Sequence, residues 1–447
     1  MKLHRPDYTR FLVFLFLFPV SLFGQYSLLQ SGPMLGYSEM KEVLLWVQTK
    51  KAAKIKFRYW VKGTTDKKHE TREELSKKEN AFVVKLLADE VEPDNTYIYE
   101  VLLNGKSLDR PYPLEFQTQK LWRSRTDPPA FTIALGSCTY INDSVYDRPG
   151  KPYGGNYEIF TSIYKKDPDA MLWMGDNIYL READWNTRTG ILYRNTQTRS
   201  LPELQPLLGS VHNYAIWDDH DYGPNDSDRS FFKKDDTFDA FKLFWGNPTY
   251  GVMDEKCITT TFEWGDAQFF LLDDRWFRSP NKRVTGDREV LGKKQLEWLI
   301  DALRTSNSTF KIVAMGGQVI SPLQVYENYA TYEAEQNYLI ETIGKEKIEG
   351  VIFVSGDRHH TELTKKDREG MYPLYDLTVS PLTSSASNLK EENPLRVLGT
   401  LVNERNFAIL QFSGSKSDQQ VQVSVFNVNG SLIWERTIKA SELKLPK

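Results

Sequence analysis

The chain has 447 residues, 40% of them hydrophobic and 26% charged, with a formal net charge of −3. That length exceeds one small core and suits a main domain with an appendage. The near-balanced charge excludes a global attraction to nucleic acid or to an anionic membrane, leaving only local basic patches.

Residues 1–24 read as a secretory signal. Lys2, Arg5 and Arg10 precede an apolar run over residues 11–23 that is too short to span a bilayer comfortably. Cleavage is expected after Gly24, and no cysteine lies there to carry a lipid. No later run is apolar enough to cross a membrane, so the expectation is an exported protein, periplasmic or extracellular. Residues 26–118 read as a small β-sandwich. The runs 43–47 and 53–59 are apolar or alternating, and Pro93-Asp94-Asn95 turns into the strand-like stretch 96–101, much as in immunoglobulin-like and fibronectin-like modules. Asn104-Gly105 marks a tight hairpin turn. Residues 119–129, polar with paired prolines, form the linker.

From residue 130 to 447, strand-like runs alternate with helical stretches, which predicts a mixed α/β layer structure with active residues at strand ends. Leu296, Leu299, Ile300 and Leu303 share one helical face, and Gly265-Asp266 joins two strands as a hairpin. Residues 407–438 return to short strands around Asn429-Gly430 and extend a sheet of the main domain.

Three apolar runs end in acids or histidines. Residues 171–174 lead into Gly175-Asp176-Asn177-Ile178-Tyr179, residues 214–217 into Asp218-Asp219-His220-Asp221, and residues 351–354 into Ser355-Gly356-Asp357-Arg358-His359-His360. Carboxylates crowded after a strand repel one another unless cations neutralise them, so three such ends together predict a metal-dependent hydrolase. Asp176 is the candidate bridge between two cations, and Asp219 supplies oxygen to the second. His220 suits the proton donor, oriented by Asp221. Asp357 and His359 close the site, while His360 is a ligand, a support or merely exposed. Tyr179 offers a phenolate or ordinary packing. Cys138 ends the run 131–137 and is either a metal-bound thiolate, the favoured reading, or disulfide-bonded to Cys257, the only other cysteine. Phenolate and thiolate together favour ferric iron over magnesium. Arg275 either clamps a phosphate oxygen or pairs at the surface with Asp273 or Asp274. Arg181, Arg188, Arg194 and Arg199 either bind a second charged group or decorate a solvated helix.

Gly136-Ser137-Cys138, the 175–179 and 217–220 segments, Leu291-Gly292 with the 295–299 run, and the 355–359 segment resemble, in order, the motifs of the alkaline phosphatase D family of PhoD-like metallophosphatases. The resemblance runs from Ser31-Gly32 almost to the C-terminus. It implies an α/β metallophosphatase core of two facing mixed sheets flanked by helices, preceded by a β-sandwich. It also implies phosphomonoesterase or phosphodiesterase activity with ferric iron plus calcium. Cys138, Asp176, Tyr179, Asp357 and His359 match the family's iron-side positions, and Asp176 and Asp219 the calcium side. Gln318 sits where wider relatives use a metal-binding histidine, and an amide oxygen there suits calcium. The acidic loop after Asp221 adds Asn225 or Asp226 as a further calcium ligand, or is solvated. The expectation is therefore a secreted phosphoesterase acting on a phosphate ester, with metal-activated water as nucleophile. Its rivals are a phospholipase or phosphodiesterase specialised for lipid or nucleotide diesters, a non-catalytic cell-surface binding protein, and a calcium-stabilised structural protein.

Overall fold

The computed structural model describes residues 28–64, 67–389 and 391–446. The signal sequence expected over residues 1–24 lies outside them. In chain order the strands are β1 (Leu29–Ser38), β2 (Val43–Thr49), β3 (Lys54–Val61), β4 (His69–Glu70), β5 (Glu74–Leu75), β6 (Val83–Ala88), β7 (Thr96–Leu103), β8 (Lys106–Ser107) and β9 (Glu115–Gln117). They continue as β10 (Phe131–Gly136), β11 (Ala170–Met174), β12 (His212–Ile216), β13 (Thr260–Trp264), β14 (Ala267–Leu271), β15 (Phe310–Ala314) and β16 (Val351–Ser355). The last five are β17 (Glu362–Lys366), β18 (Leu374–Thr378), β19 (Asn406–Ser413), β20 (Gln420–Asn427) and β21 (Leu432–Lys439).

A nine-stranded sheet runs β21-β20-β19-β10-β11-β12-β1-β2-β6, and a six-stranded one runs β13-β14-β15-β16-β18-β17. Both have parallel centres, β10-β11-β12 and β14-β15-β16-β18. Of these, β11, β15 and β16 are apolar almost throughout because both of their faces are covered. The sheets face each other: Tyr214 of β12 stacks on Phe262 of β13 with ring centres 3.7 Å apart, and Phe269 and Phe310 both contact Phe412 of β19. Phe270, one residue on, points the other way to meet Trp298 on the helix Lys293–Thr305. That helix buries Leu296, Leu299, Ile300 and Leu303, the face its spacing predicts. As expected, residues 260–271 form the hairpin β13-β14 and β19 to β21 extend the main sheet.

The N-terminal region differs from the expected sandwich. Strands β3, β4, β5, β7, β8 and β9 do form a sheet of their own, but β1, β2 and β6 belong to the nine-stranded sheet. β1 lies parallel to β12, with Leu35 opposite His212. Strand alternation explains how one ribbon serves two cores. Leu35 and Leu45 face the N-terminal core of Phe57, Tyr59, Tyr99 and Phe116, whereas Met34 and Trp46 enter the main core. No helix among the described residues is long and apolar enough to cross a membrane.

Candidate metal centre

The site is built at the carboxyl ends of parallel strands, where side chains from separate loops converge. Ser137-Cys138 follows β10, Gly175-Asp176 follows β11, residues 217–220 follow β12 and residues 356–359 follow β16. Backbone bonds join these loops: Cys138 N–H donates to Gly175 O at 3.3 Å, Thr139 N–H to Asp176 O at 2.7 Å, and Leu180 N–H to His220 O at 3.2 Å. The loop from the second sheet comes closest at Gly356, where a Cβ would stand 2.7 Å from Met174 O and from the Ser137 side chain. Glycine is required by that approach. Cys138, Asp176, Asp357 and His359 all have positive φ, between 53° and 62°. Left-handed backbone at four non-glycine residues of one site is a cost that the surrounding loops must hold in place.

The side chains meet closely. Cys138, Asp176 and His359 each place a donor atom within 4.8 Å of the others, as do Asp176, Asp219 and His220, and again Asp219, Asp226 and Glu327. Asp176 and Asp219 thus belong to overlapping clusters. The Cys138 thiol lies 3.7 Å from Asp176 Oδ2, and the Tyr179 hydroxyl 3.4 Å from His359 Nε2. His359 Nδ1 lies 2.7 Å from Ser385 O. A proton on Nδ1 donated to that carbonyl leaves the Nε2 lone pair facing the cluster, the arrangement of a metal-binding imidazole. His360 turns away into the protein, with Nδ1 3.0 Å from Arg358 O and Nε2 3.7 Å from Glu362. His359 is therefore the histidine of this pair at the site.

The cluster carries more negative charge than its own surroundings compensate. Burial, then Asp219 and Cys138, push the Asp176 carboxyl far above the ordinary range. Burial, reinforced by Asp357, raises Cys138 to about 12, and burial also raises Tyr179 and Asp357. Asp219 is the exception: His220, Arg275 and the Asp226 N–H outweigh its burial and hold it at about 2. Cations would reverse these shifts by ionising the donors. A thiol, a phenol, an imidazole and carboxylates at one end, with oxygen donors at the other, fit two metal ions sharing Asp176.

Cys138 and Cys257 are both free, so the disulfide alternative does not form. Three expected roles are displaced. Gln318 does not reach the cleft: its amide donates to Glu362 and Thr378, and its oxygen accepts from Asn328. Asp221 does not orient His220. It accepts the N–H groups of Asn177 and Asp218 and closes the turn after β12, while His220 Nδ1 is buried without a hydrogen-bond partner among the described residues. Arg275 is neither a surface residue nor part of the cleft lining. It is fully buried and bonds Asp218 at 2.6 Å and Glu327 at 2.9 Å. Of the four arginines after β11, Arg194 and Arg199 are buried, Arg194 pairing with Asp184 at 2.8 Å, and Arg188 bonds Glu79 O. Only Arg181 approaches the site.

Glu327 was not anticipated. It lies in the loop between β15 and β16 and joins Asp219 and Asp226 only through the folded sheet ends. Its sole local signal is an acid in an otherwise uncharged loop, residues 316–332, which is no motif. The acidic loop does reach the site, since Asp226 N–H donates to Asp219 Oδ2 at 2.7 Å and Asn225 lines the cleft.

The two facing mixed sheets thus carry, at their strand ends, groups that could hold metal ions. Residues 133–423 match the PhoD-like phosphatase family, and the chain belongs to that family. Residues 26–121 match a domain of unknown function (DUF7800). Alkaline phosphatase D of Bacillus subtilis (strain 168) is 23% identical over 335 residues, which cover 64% of this chain and 54% of that protein. The chain thus spans about half the length of this curated relative. A solved structure of PhoD superposes with a TM-score of 0.74 at 16% identity, covering 92% of each chain. The purple acid phosphatase PPD1 from yellow lupin (Lupinus luteus) seeds gives 0.66 at 11% identity, covering 91% of this chain and 74% of that one.

Proposed function

We propose that this chain is an exported, metal-dependent phosphoesterase that hydrolyses phosphate mono- or diesters. The observation that carries this reading is the overlap of donor clusters at Asp176 and Asp219 in a cleft of about 460 Å3.

Cys138, Asp176, Tyr179, Asp357 and His359 would hold ferric iron, and Asp176, Asp219, Asp226 and Glu327 calcium. Bound there, the two ions would supply a nucleophilic water and neutralise charge on the phosphoryl oxygens. The protein's own part is positional. Asp176, fixed by its left-handed backbone and by the His220 N–H at 3.3 Å, keeps the two clusters together. His220 packs on Tyr179 with ring centres 4.3 Å apart and gives a proton to the departing ester oxygen. Burial lowers its pKa in the free protein, and an arriving phosphate dianion acts in the opposite sense.

Elemental analysis of the purified protein, together with turnover of aryl phosphate mono- and diesters, tests the reading. Iron and calcium should each be present near one per chain. Asp176→Asn should lose bound metal and at least about 10²-fold in kcat. Full turnover by metal-free protein, or by this variant, contradicts the proposal.

A further inference from the structure

A second cavity, of about 290 Å3, adjoins the metal centre and shares Tyr153, His220 and Asn225 with it. The two differ in charge. The metal cleft sets Asp176, Asp219, Asp226, Glu327, Asp357 and Glu391 against Arg358, whereas the second cavity sets Arg148, Lys151 and Arg181 against a single acid, Asp147. That acid is already engaged, accepting from the Tyr140 hydroxyl at 2.6 Å and the Asp143 N–H at 2.7 Å. Arg148 pairs with Glu182 at the surface, and Lys151 is exposed at the rim.

Arg181 is the fixed element of this cavity. Its Nε donates to the Tyr140 hydroxyl at 3.1 Å, and its guanidinium carbon stands 4.6 Å from the Tyr140 ring centre and 5.6 Å from that of Tyr179. Its own N–H is tied to Asp184 Oδ2 at 2.9 Å. Among the described residues no carboxylate lies within ion-pair distance of the guanidinium. A half-buried guanidinium, stacked and oriented without a counter-ion, is a receptor for an anion. The tyrosines Tyr140, Tyr153 and Tyr179 would otherwise suit a quaternary ammonium group. Arg181 already covers two of those rings, and a second cation would be repelled.

We propose that this cavity is the leaving-group subsite, taking a carboxylate or phosphate carried by the alcohol part of the ester. The inference rests on the phosphoesterase reading above. His220 lines both cavities, so a proton given from its ring to the departing oxygen is delivered at their junction, with the alcohol lying toward Arg181.

Matched aryl phosphates decide the matter: 4-nitrophenyl phosphate, and analogues with a carboxylate, a phosphonate or a trimethylammonium group on the ring. The metal-loaded protein should favour the two anionic rings by about tenfold or more in kcat/KM, and Arg181→Gln should reduce that ratio at least fivefold. Carboxylate preferred to phosphonate, or the reverse, tells which anion is meant. Arg181→Lys should keep part of the preference, and Lys151→Gln, at an exposed position, should weaken it should Arg181→Gln fail to fold. A ratio near one, a ratio untouched by both variants, or a preference for the ammonium ring overturns the proposal. Calorimetry with the matching non-hydrolysable arylphosphonates reads the same preference without turnover. If no ester is hydrolysed, the phosphoesterase reading fails by itself, and equal phosphonate affinities in parent and Arg181→Gln then sink the subsite as well.

Discussion

Arg275 sets one buried cation against the buried carboxylates of Asp218, Glu327 and Asp274, the last at 3.7 Å. Removing the cation leaves Asp218 without its counter-charge in a low-dielectric interior and Glu327 with Arg278 alone, at 3.3 Å. Arg275→Met should therefore cost roughly 3–5 kcal/mol of stability, measured by urea denaturation of the metal-loaded protein. A raised KM with unchanged stability would instead restore the role of phosphate clamp. For His220→Ala, activity should fall by about 10²-fold or more on alkyl phosphates and far less on activated aryl phosphates, because only poor leaving groups need the proton. Equal losses on both would reject the acid. At this scale the sequence is readable where chemistry is local. Asp176, Asp219 and Asp357 each follow an apolar run within two or three residues, so strand and ligand are seen together. Glu327 and the true partners of Arg275 are not readable, because their contacts join loops distant in sequence, 52 residues apart for Arg275 and Glu327, and Asp221 accepts from Asn177 44 residues away.

The elements carry a different kind of information. Buried parallel strands and the amphipathic helix Lys293–Thr305 were visible in hydrophobic period alone, and they place the ligand loops at one end of the sheets. Left-handed backbone at Cys138, Asp176, Asp357 and His359 was not visible, since none is the glycine that announces such a conformation. A second element-level feature is His212 at the start of β12. It is buried between strands, with Nδ1 2.9 Å from Gly36 O and Nε2 accepting the Gln117 N–H at 3.3 Å. Only the neutral ring satisfies both bonds. Burial holds its pKa down to about 4 from the ordinary 6.5. A histidine lowered in this way contributes stability above pH 6.5 that is lost as pH falls toward 4, roughly 3 kcal/mol in all. The stability gap between the parent and His212→Gln should narrow by that amount from pH 7 to pH 4, followed by urea melts. A gap independent of pH would show that this ring does not couple folding to protons.

On the scale of the whole molecule, the expected separate N-terminal sandwich is the largest departure. Its strand content was legible from alternating residues in β3 and β7, but the pairing of β1 with β12 was not, because Leu35 and His212 are far apart in sequence and parallel pairing leaves no local mark. Deleting residues 1–119 should uncover the β12 edge and strip Met34 and Trp46 from the main core. The remaining chain should aggregate or fail to accumulate in soluble form, as size-exclusion chromatography would report. A well-behaved monomer with an unchanged melting temperature would mean that the core is complete without it.

The ribbon β1-β2 thus acts as a beam shared by two rooms. Its pairing with β12 ties the N-terminal sheet to the strand that delivers Asp219 and His220. Whatever touches the outer face of that small sheet therefore sits on the same hydrogen-bonded framework as the cleft.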